Sequence, residues 1–465
     1  MRKPTPIALA MLSLVLSGCA SFSKDGGFDA IETATRSHIQ KDVVWTRDDA
    51  TRERVQKRVD ALLEKTLSAD DAVQIALLNN PGLQAALNTL GIAEADWAAA
   101  QRLPNPGFSI GRSTRGSEIE WERSLHFNLA RILTMPMRAD IEQRLFEQTR
   151  RNLTLEVLRL ASDTRKAWYT AVAAAETAQV QREAMEAAEA GAELARRMAE
   201  VGNWSKLKQA REQSFYADTA LAVARAEQSR TQTRERLVRL LGVADAAKLK
   251  LPSRLPDLPA SLPQLANVEQ QAMDSRLDLQ MVKLESEALA KNLDLTRRTR
   301  FINVLEFGIA NNTSNEEQMQ HGYEISFELP LFDWGQSRVL AAESRYRQML
   351  ARARETAINA RSEVREAHAM LQNQYAVARH VRDEVLPLKK RISEENLLRY
   401  NGMLIGVFEL LADARSQLAA VNTAIESSRD FWLAEADLQM ALIGTPGKTM
   451  VTNTAAAPSD AGGGH

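Results

Sequence analysis

A lone cysteine carries the most specific chemistry in this chain. Leu16-Ser17-Gly18-Cys19 follows a positive start (Arg2, Lys3) and a short apolar run from Ile7 to Leu16. That order resembles a bacterial lipobox, in which the thiol is acylated and the cysteine becomes the first mature residue. The apolar run is too short to span a bilayer, so residues 1–18 read as a cleaved signal peptide. The alternative is ordinary signal cleavage nearby, with Cys19 incidental. Ala20 follows the cysteine where such lipoproteins carry Asp if they are kept from the outer membrane, so outer-membrane sorting is expected. The remaining reactive groups are dispersed. His38, His126, His321, His368, His380 and His465 show no metal-ligand spacing, and no second cysteine exists. No nucleophile–base pair, phosphate-cradling glycine loop or catalytic carboxylate pair stands out. No metal, no cofactor and no enzymatic activity are expected.

The elements that carry these residues are long and helical. The chain has 465 residues, 45% hydrophobic but only 5% aromatic, with a formal net charge of −1. The balance shows no basic excess, so nucleic acid is not an expected partner. Abundant Ala, Glu, Arg, Leu and Gln is the composition of long helices or coiled coils. After Cys19 no stretch approaches 18 apolar residues, so any membrane-spanning part must be a β-barrel.

An internal repeat organises the chain. Leu153, Val157, Leu160, Thr164, Ala167, Ala171, Ala174, Ala178, Gln181, Met185, Ala188 and Ala192 follow the 4-3 spacing of a heptad's a and d positions. Ala353, Ala357, Ala360, Val364, Ala367, Leu371, Gln374, Ala378, Val381, Val385, Leu388 and Ile392 repeat it 200 residues later. Ser162-Asp163-Thr164-Arg165 matches Ser362-Glu363-Val364-Arg365 in the same register. Both stretches break at a glycine, Gly202 and Gly402, and each is followed by a second helix, ending near Gly242 and Gly444.

Before each long helix lie two short alternating segments. Phe108 and Ile110 alternate with Ser109 and Gly111, and Leu125, Phe127 and Leu129 with His126 and Asn128. In the second half, Leu305, Phe307 and Ile309 form one run. Ile325, Phe327, Leu329 and Leu331 form the other. Two β-hairpins are predicted, with polar loops at 113–122 and 311–322. Residues 138–200 as one helix would extend about 95 Å, too long for a globular core, so it must pack beside similar helices. One apolar and one polar strand face suits a membrane barrel with a wet lumen. Four strands cannot close a barrel, since about eight is the practical minimum, so oligomerisation is implied.

With these features in hand the chain resembles TolC-type outer-membrane efflux proteins over roughly residues 67–444. Arg102-Leu103-Pro104-Asn105-Pro106 is similar to the stretch before that family's first strand. Glu384-Val385-Leu386-Pro387 resembles its late proline-bearing helix segment. Arg399-Tyr400-Asn401-Gly402 followed by Glu409-Leu410-Leu411 resembles its periplasmic turn. The resemblance implies a mainly α fold with a small β part. A homotrimer would pool four strands per chain into a 12-stranded membrane β-barrel continuing into a long α-helical periplasmic barrel. The partners implied are a periplasmic adaptor, an inner-membrane pump and outer-membrane lipid.

The resemblance also assigns roles beside plainer readings. Gly202 and Gly402 reverse helices, where a positive φ favours glycine. Their neighbours Trp204, Ser205, Leu404 and Ile405 would meet the adaptor. Arg399 and Tyr400 help hold the tip shut, or are merely a solvated cation and an interfacial ring. The family's acidic ring is only partly present: Lys208 stands at the first-half position, and Glu409, displaced by about one residue, at the second, with Asp413 one turn on. Glu306, Glu324 and Glu328 lie on the polar face of the second hairpin. There they line the lumen and favour cations, or simply solvate it. Pro387 is expected to kink its helix.

The organisation expected is a signal peptide (1–18), a lipid-anchored segment wrapping the helical barrel (19–66), a first helix–hairpin–helix repeat (67–242), a proline-rich linker (243–263), a second repeat (264–444) and a disordered tail (445–465). Three functions fit: an efflux duct for small molecules or metal ions, the outer duct of a type I protein secretion system, or a non-pore structural coiled-coil lipoprotein. The alternating hairpins weigh against the third.

Overall fold

One helix sets the scale of the molecule. In a computed structural model describing residues 22–445, apart from 264, 266, 302 and 303 and the side chain of 408, helix α5 (Leu129–Glu200) runs unbroken for 72 residues. That is about 108 Å, a longer rod than the heptad pattern alone indicated. Asn128 starts it by accepting a hydrogen bond from the Arg131 amide. Cys19 and the rest of the signal and lipobox lie outside the described residues, as does the tail beyond Thr445.

Helices α1 (Asp29–Ile39), α2 (Asp49–Leu63), α3 (Ala69–Asn79) and α4 (Pro81–Ala100) come first. The hairpin β1 (Gly107–Arg115) and β2 (Glu118–Asn128) leads into α5, which reverses into α6 (Lys206–Leu241). The same order follows in α7 (Val268–Ser275), α8 (Leu277–Arg298), β3 (Leu305–Ser314), β4 (Gln320–Phe327) and α9 (Gln336–His380). A π-helical turn (Val381–Val385), α10 (Leu386–Asn401) and α11 (Val407–Ile443) complete it. The strands form one antiparallel sheet in the order β1-β2-β3-β4, leaving β1 and β4 as its edges.

The core gathers around the middle of α5. Leu153, Val157 and Ala161 pack on Val73 and Leu77 of α3 and on Leu83, Leu87 and Leu90 of α4. Further along, Trp168 donates its indole N–H to the Leu67 carbonyl at 3.1 Å. Small heptad residues let α5 lie close to its neighbours, while its two ends carry little core.

Three segments differ from expectation. Residues 22–66 do more than wrap: Ile31, Val43 and Val59 are fully buried in the same core. The proline-rich stretch 243–263 is a fastened strap. Leu249, Leu255 and Leu258 are buried, and its carbonyls accept from side chains because prolines leave them without ladder partners. Tyr375 Oη donates to the Pro259 and Ala260 carbonyls at 3.1 and 2.8 Å, and Trp432 Nε1 to that of Pro256 at 3.2 Å. At Pro387 the disturbance takes the form of the π turn immediately upstream. Proline offers no N–H and clashes with the carbonyl four residues back, and widening the turn relieves both.

Gly242 ends α6 with φ +65°, and a Cβ there would meet the Asn79 carbonyl oxygen at 2.5 Å. The Asn79 amide donates to the Gly242 carbonyl at 2.8 Å, so the approach is needed. Gly242→Ala is therefore expected to lower stability by about 2 kcal/mol or more, read as a fall in melting temperature.

Candidate functional site

The sheet sorts its residues by face more completely than short runs of alternation suggested. Opposed pairs share a face, and Gly308 lies opposite both His126 and Glu324, while Glu306 lies opposite Asn128 and Ser326. One face therefore carries Glu118, Glu120, Glu122, Ser124, His126 and Asn128 of β2 with Glu306 and Glu324. Glu328 continues that face just beyond β4, its amide donating to the Val304 carbonyl at 3.4 Å. The expected lumen residues Glu306, Glu324 and Glu328 thus share one polar face. Gly308 permits this packing, since a Cβ there would meet the His126 ring at 2.9 Å.

The opposite face is apolar and open. Phe108, Ile110, Leu125, Phe127, Leu305, Phe307, Ile309, Tyr323, Ile325 and Phe327 all belong to it by register, and Tyr323 is 78% exposed. The predicted polar loops at 113–122 and 311–322 are mostly strand. β1 runs to Arg115, β2 starts at Glu118, β3 runs to Ser314 and β4 starts at Gln320. Glu118, Glu120 and Glu122 were accordingly missed as members of the polar face, although their i, i+2 spacing was visible. A polar cleft of 470 Å³ opens beside them, lined by Arg115, Glu118, Glu120, Asn312, Glu317 and Gln320 among others.

At the far end of the helices, α5 turns into α6 and α10 into α11. Gly202 takes φ +77° as expected, but Gly402 does not: Met403 occupies the left-handed position, at φ +55°. Hydrogen bonding explains the shift. Gly202 N–H donates to the Ala199 carbonyl and Asn203 N–H to that of Met198; Met403 donates to Tyr400 and Leu404 to Arg399. Both are Schellman turns, and they correspond at an offset of 201 residues, not 200. The extra residue is what a π turn accommodates, since its i→i+5 bonds take one more residue per turn. Val381–Val385 separates the heptads that hold at 200, up to Ala378, from the turns matched at 201, and past it Leu388 and Ile392, expected to face inward at 200, are exposed.

The new register aligns Lys208 with Glu409 and Glu212 with Asp413. Lys208 and Glu409 are exposed. Glu212 and Asp413 are 2% and 9% exposed, so Asp413 sits inside the protomer rather than on an open surface. Arg415 of α11 reaches across to Glu212 of α6 at 2.7 Å and lies 3.8 Å from the centroid of the Phe215 ring. This bond ties the two tip hairpins together and was not foreseen. Its signal was the inward spacing of Glu212, Phe215 and Thr219. Arg399 pairs with Glu395 on its own helix at 3.4 Å, and Tyr400 is partly exposed beside it. Ser205 caps α6, accepting from the Lys208 amide at 3.3 Å. Trp204 and Ile405 are half-buried and Leu404 is exposed. Met403 is 93% exposed, and Val201, Leu207 and Leu398 add to an uncovered apolar surface at the tip.

Among the described residues no cluster of His, Cys, Asp or Glu could hold a metal ion, and no helix is long and apolar enough to cross a membrane.

Solved structures share this fold. A membrane protein from Pseudomonas aeruginosa superposes with a TM-score of 0.68 at 20% identity, over 83% of this chain and 93% of that one. The MtrE outer membrane channel of Neisseria gonorrhoeae, in its open state, gives 0.66 at 18% identity, over 83% and 89%. The outer membrane protein VceC of Vibrio cholerae gives 0.64 at 14%, over 86% and 98%. No family model and no curated protein sequence matches the chain.

Proposed function

We propose that this chain, which has the fold of TolC-type outer-membrane channels, is the lipid-anchored outer-membrane subunit of a tripartite efflux pump: a passive, gated duct for small molecules or metal ions. The observation that carries this reading is the four-stranded sheet with a bare apolar face, a carboxylate-rich polar face and two unpaired edges. In a bilayer an unpaired edge leaves each N–H and C=O unsatisfied at several kcal/mol. β1 of one copy therefore pairs with β4 of the next, and three copies close twelve strands with the glutamates inside. A structural rod has no use for such a sheet. Glu118, Glu120, Glu122, Glu306, Glu324 and Glu328 give the lumen a negative lining that favours cations.

The apolar surface around Met403 and Leu404 suits a periplasmic adaptor, through which an inner-membrane pump would supply the energy. Cys19 would add an acyl tether to a trimer already held by its barrel. Edge pairing is testable with one cysteine on β1 (Ser109→Cys) and one on β4 (Gly322→Cys, Glu324→Cys or Ser326→Cys, scanned in turn). Oxidation in membranes is expected to give, for at least one pair, a ladder ending at three chains. Monomers throughout, or a ladder running past three, would contradict the closed trimer.

A further inference from the structure

The membrane-facing side of the sheet holds two arginines whose place needs a partner. By register, Arg112 lies opposite Trp121, and Arg123 lies opposite both Ile110 and Asn311. All four strands contribute apolar residues on the helix-proximal part of this face: Phe108, Leu125, Phe127, Phe307, Ile309 and Ile325. Moving toward the hairpin turns, the face changes at the row Ile110, Arg123, Asn311, His321. The next row carries Arg112 and Trp121. Both arginines are exposed, and the Arg112 guanidinium sits 5.7 Å from the centroid of the Trp121 ring.

Charge on the sheet is segregated by face. Every carboxylate within the strands (Glu118, Glu120, Glu122, Glu306 and Glu324) lies on the opposite side, with Arg115 among them. The outward face carries cations and no acid. Arg112 and Arg123 are diagonal neighbours across β1 and β2, about 7–8 Å apart along the backbone, close enough to grip one tetrahedral anion. A lipid-facing arginine is costly at the bilayer midplane and nearly free at the interface, so the two mark the outer headgroup level. Trp121 stands where an aromatic girdle belongs.

We propose that Arg112 and Arg123, steadied by Trp121, bind the phosphate of an anionic outer-leaflet lipid and fix the height of the barrel. Guanidinium forks match phosphate oxygens in a bidentate way, and lipid headgroups supply phosphate at this depth. This rests on the barrel reading above, and the test separates the two.

The full chain is reconstituted into phosphatidylcholine nanodiscs doped with phosphatidic acid, whose headgroup is a bare phosphate monoester, and lipids retained on the oligomer are counted by native mass spectrometry. Wild-type protein is expected to retain phosphatidic acid over phosphatidylcholine. Arg112→Gln/Arg123→Gln should lose about tenfold or more of that preference while its oligomer and conductance persist. Excess inorganic phosphate should not displace the lipid. A conducting wild-type oligomer with no preference, equal retention by the variant, or displacement by free phosphate would each overturn the lipid site and leave the channel reading intact. Failure of the wild type to insert at all would overturn both.

Discussion

Replacing Arg276 with alanine is expected to cost about 3–5 kcal/mol and to leave little folded protein at physiological temperature. The side chain is 1% exposed. It joins three helices from the junction of α7 and α8. Nη2 donates to Asp278 at 2.6 Å and to Glu363 of α9 at 2.7 Å, and Nη1 donates to the Ala441 carbonyl of α11 at 3.0 Å. Truncation strands the Asp278 carboxylate in the core.

Burial alone would raise the Asp278 pKa, but the Arg276 hydrogen bonds and charge prevail and hold it below the ordinary range. The sign of the pH effect follows. Asp278 contributes stability above the usual carboxylate pKa, and that contribution fades as pH falls through its lowered value. In Arg276→Ala only the hydrogen bonds from Thr445 and the Leu279 amide still oppose burial at Asp278, so the loss of stability on the acid side should shrink or reverse. Denaturant midpoints against pH check both limbs. Arg276→Lys, which keeps the charge without the fork, should fall between. A wild-type midpoint in Arg276→Ala at neutral pH would show that the network holds nothing together.

Breaking the Glu212–Arg415 bond is expected to loosen the two tip hairpins from each other. Glu212 has no water to turn to, and a hydrogen bond to a charged group is worth about 1.5–3 kcal/mol, a shift of roughly ten- to hundred-fold toward splayed hairpins. Glu212→Ala and Arg415→Ala should therefore admit a bulky glycopeptide antibiotic across the outer membrane, read as lowered resistance in cells. A Glu212→Ala/Arg415→Ala double variant should be no leakier than either single change, since both remove the same tie. Unchanged resistance in both single variants would dismiss this bond as a latch.

Much of the fold was legible because its physics is periodic. The alanine-rich 4-3 pattern dictated rods that pack side by side, and alternation around Phe108 and Phe327 dictated strands. What escaped was not periodic. Arg112, Arg123 and Asn311 interrupt the apolar face near the hairpin turns, so strands there looked like polar loops. The equivalence of Gly202 and Gly402 looked secure from the heptads, yet one residue absorbed in the π turn moved the left-handed position to Met403. Asp413 was expected at the gate from resemblance, and packing buries it within the protomer. Arg276 depends on helices distant in sequence, which no local spacing announces, and the spacing of Glu212, Phe215 and Thr219 marks an inward face without naming Arg415 as its partner.

The most direct measurement is single-channel current from purified oligomers in planar bilayers. Wild-type oligomers are expected to pass small, cation-preferring currents, and Arg415→Ala oligomers to open to a larger, steadier conductance. Inserted oligomers that pass no ions in either form would contradict a gated duct.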